Sequence, residues 1–223
     1  EIVDQVLSVL DQLGPEERLS NYVFMGMGEP LANLDAVTDA ITRMTDQTWG
    51  LGISPSRITL STAGWATRLQ AVAALGINLA ISLNATTDAQ RERLMPAINR
   101  LFPLEALLAA CREYPLPPRR RLTFEYVLIA EVNDRPEDAI RLVRLLKGIR
   151  AKINLIPFNE FPGNDYKRPR DTAILRFQGV LRKAGLDTFI RKSKGRDVLG
   201  ACGQLGNLPD TPALITVTPR KGR

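Results

Sequence analysis

The sequence predicts an α/β protein with a partial (βα)6 barrel of the TIM type. Six short, almost continuously apolar runs alternate with segments of helical periodicity, which is typical of parallel βαβ units whose sheet is covered on both faces. The first five runs end in small or polar residues, and parallel barrels gather their ligand-binding groups at that carboxyl edge. An open doubly wound sheet is the alternative fold, but it would concentrate those groups at one switch point.

Residues typical of helix ends mark the limits of the helices between these strands. Asn33, and Thr87 or Asp88, can each cap the first turn of the helix that follows. Gly76 and Gly185 are suited to end helices, because glycine adopts the left-handed conformation common after a last turn. The strands are predicted over 22–25, 57–64, 78–85, 122–129, 152–159 and 188–193, and the helices over 1–13, 34–48, 66–75, 88–95, 104–113, 137–148 and 172–184.

The chain is basic, with 30 Lys and Arg against 24 Asp and Glu and a formal charge of +6. Its basic residues cluster at Arg119–Arg121, Lys167–Arg170 and Arg191–Arg196. Such an excess favours a polyanionic partner, because Lys and Arg displace the counterions of phosphates. A solvated charged surface is the alternative interpretation.

Two absences from the composition exclude several classes of site. Without a histidine, the chain supplies no imidazole base, no Ser-His triad and no His-ligated metal. Cys111 and Cys202 alone cannot form a four-cysteine zinc site or a disulfide framework, so no metal ligand is assigned in the chain. No apolar run approaches the roughly 20 residues of a membrane span, and the acidic N-terminus is unlike a signal peptide, so a cytoplasmic protein is expected.

The first predicted strand opens into the glycine-rich turn GMGEP at 26–30. Glycines there allow the backbone to approach a ligand closely and to adopt positive φ angles. Glu29 could accept hydrogen bonds from a ligand ammonium group. A tight turn with an exposed glutamate is the alternative, because the pattern is neither GxGxxG nor a Walker motif.

Small polar residues follow later strands at the same predicted edge. Ser61 in LSTAG, and Ser82 and Asn84 in ISLNA, could bind a ribose or an amino-acid carboxylate. Asn159 in IPFNEFPG could read a nucleoside edge, because its amide both donates and accepts. Taken singly, each of these residues is also typical of a helix cap or a turn.

Cys202 lies between glycines in GACGQLG, directly after the last basic cluster. Nearby cations favour the thiolate, which is the nucleophilic form of cysteine. A free cysteine is as often a buried small apolar residue, so both interpretations stay open. Cys111, within the apolar helix LLAACREY, is predicted to belong to the core.

From about Tyr22 to Leu205, the chain resembles the radical S-adenosylmethionine RNA methyltransferases that methylate carbon 2 of adenine. The resemblance is carried by GMGEPLANLDAV, RITLSTAG, LAISLNATTDAQR, FEYVLIAEVND, INLIPFNEFPG and DVLGACGQL. GMGEP and the serine strand ends are shared more loosely by other radical enzymes, whereas IPFNxFPG together with ACGQL is specific to this family. We therefore expect residues 1–206 to form a radical S-adenosylmethionine barrel core that lacks the first strand, with the cysteine loop, and 207–223 to form a basic tail.

The resemblance implies S-adenosylmethionine as the cofactor and Cys202 as the catalytic residue, whose thiolate takes a methyl group that a radical then activates for addition to adenine. It implies a four-iron–four-sulfur cluster, large-subunit ribosomal RNA and in some members tRNA as substrate, a reducing partner such as flavodoxin, and a monomer. It also implies two sets of cofactor contacts: the methionine moiety would be held by Gly28 and Glu29, and the carboxylate, ribose and adenine by Ser61, Ser82, Asn84 and Asn159.

Departures from the family's pattern bear on this assignment. The family's CxxxCxxC cluster motif and its small RNA-binding domain belong upstream of residue 1, so these parts are expected outside the present sequence. The family usually has SLHA where this chain has SLNA, which puts Asn84 in place of a histidine. Another radical S-adenosylmethionine enzyme, such as an activase that generates glycyl radicals, and a non-catalytic RNA-binding paralog are the alternatives.

Overall fold

The computed structural model describes residues 1–26, 28–161 and 163–191, and these residues form an alternating series of strands and helices. The strands are β1 (Tyr22–Phe24), β2 (Ile58–Thr62), β3 (Asn78–Ser82), β4 (Leu122–Leu128), β5 (Ala151–Pro157) and β6 (Asp187–Ile190). The helices are α1 (Ile2–Leu10), α2 (Leu34–Thr45), α3 (Leu69–Ala73), α4 (Asp88–Leu94), α5 (Pro96–Leu101), α6 (Leu104–Arg112), α7 (Pro136–Leu145) and α8 (Asp171–Lys183). Short 3-10 turns precede α2, β2 and α3, at Pro30–Asn33, Pro55–Arg57 and Ala66–Arg68.

The strands lie in the sheet in the order in which they occur in the chain, and all neighbouring pairs are parallel. A doubly wound sheet reverses its strand order at a switch point, and no reversal occurs among the described strands, so that alternative is wrong. Winding in one direction is the arrangement of barrels of βα units. The α/β class and the barrel-type strand order are therefore confirmed, with β1 and β6 as the edges of the described sheet.

One face of the sheet is apolar and packs against the helices. Leu60, Ile81 and Phe124 alternate with residues of the opposite face, and each is 0% exposed within a single hydrophobic core. Tyr126 belongs to the same face, and its ring lies 5.4 Å from that of Phe177 in α8. Burial of these side chains supplies the main favourable term for holding helices on this face.

The opposite face carries hydrophilic side chains. Ser82 is aligned with Glu125, and Glu125 with Asn154, so these three side chains point to one side of the sheet. Ser61 is aligned with Ala80, two residues before Ser82, and therefore faces the same way. We call Ser61, Ser82, Glu125 and Asn154 the polar face. The strands are therefore apolar on the side of the helices and hydrophilic at these four positions of the opposite face.

The predicted elements are found with their ends shifted by a few residues. Part of the helix predicted over 66–75 is the 3-10 turn Ala66–Arg68. Helix α5 was not predicted; it begins at Pro96, and proline is suited to a first helical position. The last two residues of the strand predicted over 188–193, and the tail 207–223, lie outside the described residues. In the part of the chain that the structure describes, no helix has the length and apolarity needed to cross a bilayer.

Cys111 lies in the core, as predicted, and is expected to be unreactive. Its side chain is 2% exposed, and burial raises the pKa of the thiol to about 12. Since the thiolate is the nucleophile, iodoacetamide near neutral pH should leave Cys111 unmodified in the folded protein and alkylate it after unfolding in urea. Peptide mass spectrometry checks this result. Alkylation at equal rates in both states would contradict the packing of α6.

Candidate functional site

The carboxylate of Glu29 ties the loop after β1 to the end of β2. Its Oε1 accepts hydrogen bonds from the Thr62 hydroxyl at 2.8 Å and from the Leu31 backbone N–H at 3.0 Å. Its Oε2 accepts one from the Ala63 backbone N–H at 2.7 Å. A carboxylate offers about four acceptor positions, so most of them are used within the chain. Glu29 therefore fixes its own loop, and its contact with a methionine ammonium group stays a prediction.

Gly28, in the same loop, leaves room for a ligand to approach the backbone. Its φ is +92°, in the left-handed region that favours glycine. Among the described residues, and apart from its chain neighbours, a Cβ placed on Gly28 would have no atom within 4 Å. The contact of Gly28 with the methionine moiety of S-adenosylmethionine stays a prediction.

Ser61 and Ser82 bring two hydroxyl groups to the same edge of the sheet. Both side chains are half-buried, near or at the carboxyl ends of β2 and β3, on the polar face. Because Glu29 is bonded to Thr62 and Ala63, it lies directly beside the strand end that carries Ser61. The structure thus places Glu29 at the end of β2, and Ser61 and Ser82 on the same face of neighbouring strands.

Asn84 extends the pairing of β3 with β4. Its Oδ1 accepts the Val127 backbone N–H at 2.9 Å, and its Nδ2 donates to Met95 Sδ at 3.4 Å, a weak acceptor. Its φ is +57°, a left-handed conformation that Asn tolerates better than most residues. Asn84 therefore has a structural role at the strand ends, and a contact of its amide N–H groups with the cofactor remains a prediction.

Of the two remaining predicted site residues, Asn159 is among the described residues and Cys202 is not. Asn159 is 3% exposed and follows β5 by two residues, so it lies at the carboxyl edge with the others. Cys202 lies outside the described residues. Its role as methyl carrier is therefore an inference from the sequence.

Sequence reasoning missed Glu125, an acidic side chain in the middle of β4. Glu125 is 8% exposed, and Arg191 Nη1 lies 3.4 Å from its Oε1. Burial raises the pKa of Glu125, while Arg191 and a hydrogen bond from Asn154 act in the opposite direction. The signal was present, because a glutamate interrupts the otherwise apolar run of LTFEYVLI.

Sequence reasoning also missed Arg91 of α4, which holds the end of β2. Its side chain is 0% exposed, and its guanidinium donates to Ala63 O at 2.7 Å and to Phe102 O at 2.9 Å. Burial lowers the pKa of Arg91. A Cβ on Gly64, whose φ is +108°, would lie 3.0 Å from Arg91 Nη2, so the guanidinium fits because this residue is glycine. Nothing in DAQRERL distinguishes Arg91 from a solvated helical arginine.

The basic clusters lie at different edges of the sheet. Arg119–Arg121 precede β4 at the amino edge, where Arg120 donates to Gly76 O at 2.7 Å and Arg121 pairs with Asp187. Lys167–Arg170 lie at the carboxyl edge, where Lys167 O accepts the Ala130 backbone N–H at 2.9 Å. Beyond Arg191, the third cluster is outside the described residues. Of the first two clusters, the second borders the candidate site.

The ligands of an iron–sulfur cluster would be different residues from those that hold S-adenosylmethionine. Among the described residues, no group of three or more His, Cys, Asp or Glu could hold a metal ion. The described residues therefore do not supply a set of ligands for a cluster.

Comparisons with known proteins agree in sequence and in structure. The chain is 52% identical over 206 residues to the dual-specificity RNA methyltransferase RlmN of Syntrophobacter fumaroxidans, covering 92% of this chain and 60% of that protein. It is 53% identical over 206 residues to the RlmN of Desulfosudis oleivorans, covering 92% and 55%. With the RlmN of Anaeromyxobacter dehalogenans it shares 46% identity over 236 residues, covering 100% and 63%. The chain thus spans 55–63% of the length of these relatives. No family model matches the chain.

Two solved structures are similar to the fold. A radical SAM methyltransferase from Sphaerobacter thermophilus superposes with a TM-score of 0.85 at 39% identity, covering 92% of this chain and 60% of that one. A domain of a pyruvate-formate lyase-activating enzyme from Bacteroides vulgatus gives a TM-score of 0.60 at 19% identity, covering 78% and 99%. The second likeness concerns the fold alone.

Proposed function

Because this chain belongs to the family of radical S-adenosylmethionine RNA methyltransferases named for dual specificity, we propose that it carries the cofactor-binding part of an enzyme that methylates carbon 2 of adenine in RNA. The observation that supports this most is identity at about half of the positions with proteins of that name, over 92% of the chain. Large-subunit ribosomal RNA and tRNA are the proposed substrates.

The strand ends would hold S-adenosylmethionine, which supplies the methyl group and, with a reduced iron–sulfur cluster, the radical. Gly28 leaves its backbone open to the methionine moiety, and the anchored Glu29 has acceptor capacity left for the ammonium group. Ser61 and Ser82 would bind the polar groups of the carboxylate and ribose from the polar face. Asn84 and Asn159 would complete the site at the ends of β3 and β5.

Cys202 would carry the methyl group. Its thiolate would attack the methyl carbon of the sulfonium, forming a thioether and releasing S-adenosylhomocysteine. Such a carrier suits an aromatic carbon, because that carbon has no lone pair for direct methyl transfer. The basic residues that precede Cys202 in the sequence would favour the thiolate.

RNA would approach the carboxyl edge of the sheet. Lys167 and Arg168 lie there, and cations at this position would contact phosphates around the target adenine. We extend the proposal to a flavodoxin-type reductant and to a monomeric enzyme in the cytoplasm.

Substitution of Cys202 tests this function in the purified full-length protein. Cys202→Ala should lower methyl incorporation into RNA from labelled S-adenosylmethionine more than ~100-fold, because the nucleophile is removed. Cys111→Ala is the matched control and should keep activity, since Cys111 is a buried core residue. Calorimetry should show that the wild-type protein binds S-adenosylhomocysteine.

Two outcomes would contradict the proposal. Equal methylation by Cys202→Ala and the wild type would remove Cys202 from the mechanism. A wild-type protein that binds RNA but neither S-adenosylmethionine nor S-adenosylhomocysteine would instead be a non-catalytic RNA-binding paralog.

A further inference from the structure

Glu125 stands out as a buried carboxylate that the proposed mechanism does not use. It lies in the central part of β4, is 8% exposed, and belongs to the polar face. Burying a carboxylate is costly unless hydrogen bonds and counter-charges compensate. A charged side chain kept at such a position is therefore a candidate for binding.

The partners of Glu125 within the described residues leave part of its capacity free. Arg191 Nη1 is 3.4 Å from Glu125 Oε1, which is long for a charge-assisted hydrogen bond, and the Arg191 side chain is 41% exposed. Asn154 contributes one further hydrogen bond. Since a carboxylate has about four acceptor positions, Glu125 can still accept hydrogen bonds from a ligand on the polar face.

The depth of Glu125 in the sheet favours a small ligand. Glu125 is aligned with Ser82, the last residue of β3, whereas β4 continues for three residues beyond Glu125. A ligand that reaches the Ser82 hydroxyl is therefore at the level of Glu125. An RNA base entering from the carboxyl edge would have to pass the strand ends before it reached this depth.

We propose that Glu125 accepts hydrogen bonds from the ribose hydroxyls of S-adenosylmethionine bound beside Ser82. The two adjacent hydroxyls of this ribose are neutral donors, and the two oxygens of one carboxylate can accept from both. Within internal RNA nucleotides the 3′ oxygen is esterified, so the free pair of hydroxyls is a property of the cofactor. The inference rests on the proposed function, because it takes S-adenosylmethionine as the ligand.

The test compares two probes on the full-length protein. S-Adenosylhomocysteine and its analogue lacking both ribose hydroxyls are titrated by calorimetry into the wild type and into Glu125→Gln, which keeps the shape and removes the charge. For the wild type, loss of the hydroxyls should weaken binding about 10- to 100-fold, as expected for charge-assisted hydrogen bonds. Glu125→Gln should bind S-adenosylhomocysteine correspondingly more weakly and discriminate little between the probes.

Two further variants distinguish a loss of ligand binding from a loss of folding stability. Glu125→Asp retains the charge but retracts the carboxylate, and it should show the same loss of discrimination if its unfolding midpoint matches the wild type. Glu105→Gln, on the exposed surface of α6, is the matched control and should bind both probes like the wild type.

The outcomes separate this inference from the proposed function. A wild-type protein that binds neither probe would overturn the proposed function and the inference with it. Wild-type discrimination that persists in Glu125→Gln would overturn the inference alone. A variant that loses RNA affinity, with its discrimination between the two probes intact, would also overturn the inference and assign Glu125 to the RNA.

Discussion

Replacing Arg91 by alanine is expected to lower the free energy of unfolding by about 3–5 kcal/mol. The buried guanidinium donates to the carbonyl groups of Ala63 and Phe102, and both would lose this donor. The substitution also opens a cavity next to Leu107, which lies against the same glycine as Arg91. Urea unfolding followed by circular dichroism measures the effect.

Variants of matched charge separate the packing of Arg91 from its charge. Arg91→Lys should also be destabilising, because a compact ammonium group cannot span acceptors on both sides of the guanidinium. Arg93→Ala is the control: Arg93 is exposed, and its position 5.5 Å from the Tyr166 ring is expected to contribute no more than about 1 kcal/mol. A loss below about 1 kcal/mol for Arg91→Ala would show that α4 adjusts around the missing side chain.

Replacing Asn133 by alanine is expected to lower the free energy of unfolding by about 3 kcal/mol. Asn133 is 0% exposed, and its amide donates to Asn84 O at 2.8 Å and Val127 O at 2.7 Å. Its Oδ1 accepts the Ile129 backbone N–H at 2.8 Å. Alanine would leave buried backbone groups without these partners, and each such group costs about 1–3 kcal/mol before relaxation. Chemical denaturation again measures the loss.

An isosteric variant distinguishes hydrogen bonding from volume at this position. Asn133→Asp keeps the shape but replaces two donors with acceptors facing carbonyl oxygens, so it should be at least as destabilising as alanine. Asn21→Ala, at an exposed asparagine, should change stability by less than about 0.5 kcal/mol. If Asn133→Asp were as stable as the wild type, the amide donors would be unimportant to the fold.

The α/β class and the strand order were predictable because they depend on local patterns. The apolar runs at β4 and β5 have clear lengths and boundaries, and each βα unit repeats the same alternation. The two faces of the sheet were harder to predict, because β4 is almost entirely buried and only Thr123 and Glu125 indicate its polar side. Short apolar strands do not show which alternate residues meet helices until the helices are placed.

Residues of the candidate site were predictable where they belong to a recognisable sequence motif. GMGEP indicated that Glu29 lies in the loop after a strand, and the structure shows which donors occupy its carboxylate. The structural role of Asn84 was not predictable, because its hydrogen-bond partner Val127 is distant in sequence and belongs to another strand. The same limit applies to Arg91, whose carbonyl partner on Ala63 lies 28 residues away. Single-sequence patterns identify polar residues near strand ends but not the groups they bond.

Ala63 is held from two directions, which joins the loop after β1, the end of β2 and helix α4. The Glu29 carboxylate, from the loop after β1, binds its N–H, and Arg91, from the helix after β3, binds its C=O. A shift of any one of these three elements would strain its contacts with the others, so this part of the site's rim is preassembled. A ligand that enters it therefore finds its binding groups already ordered, and little conformational entropy is lost on arrival.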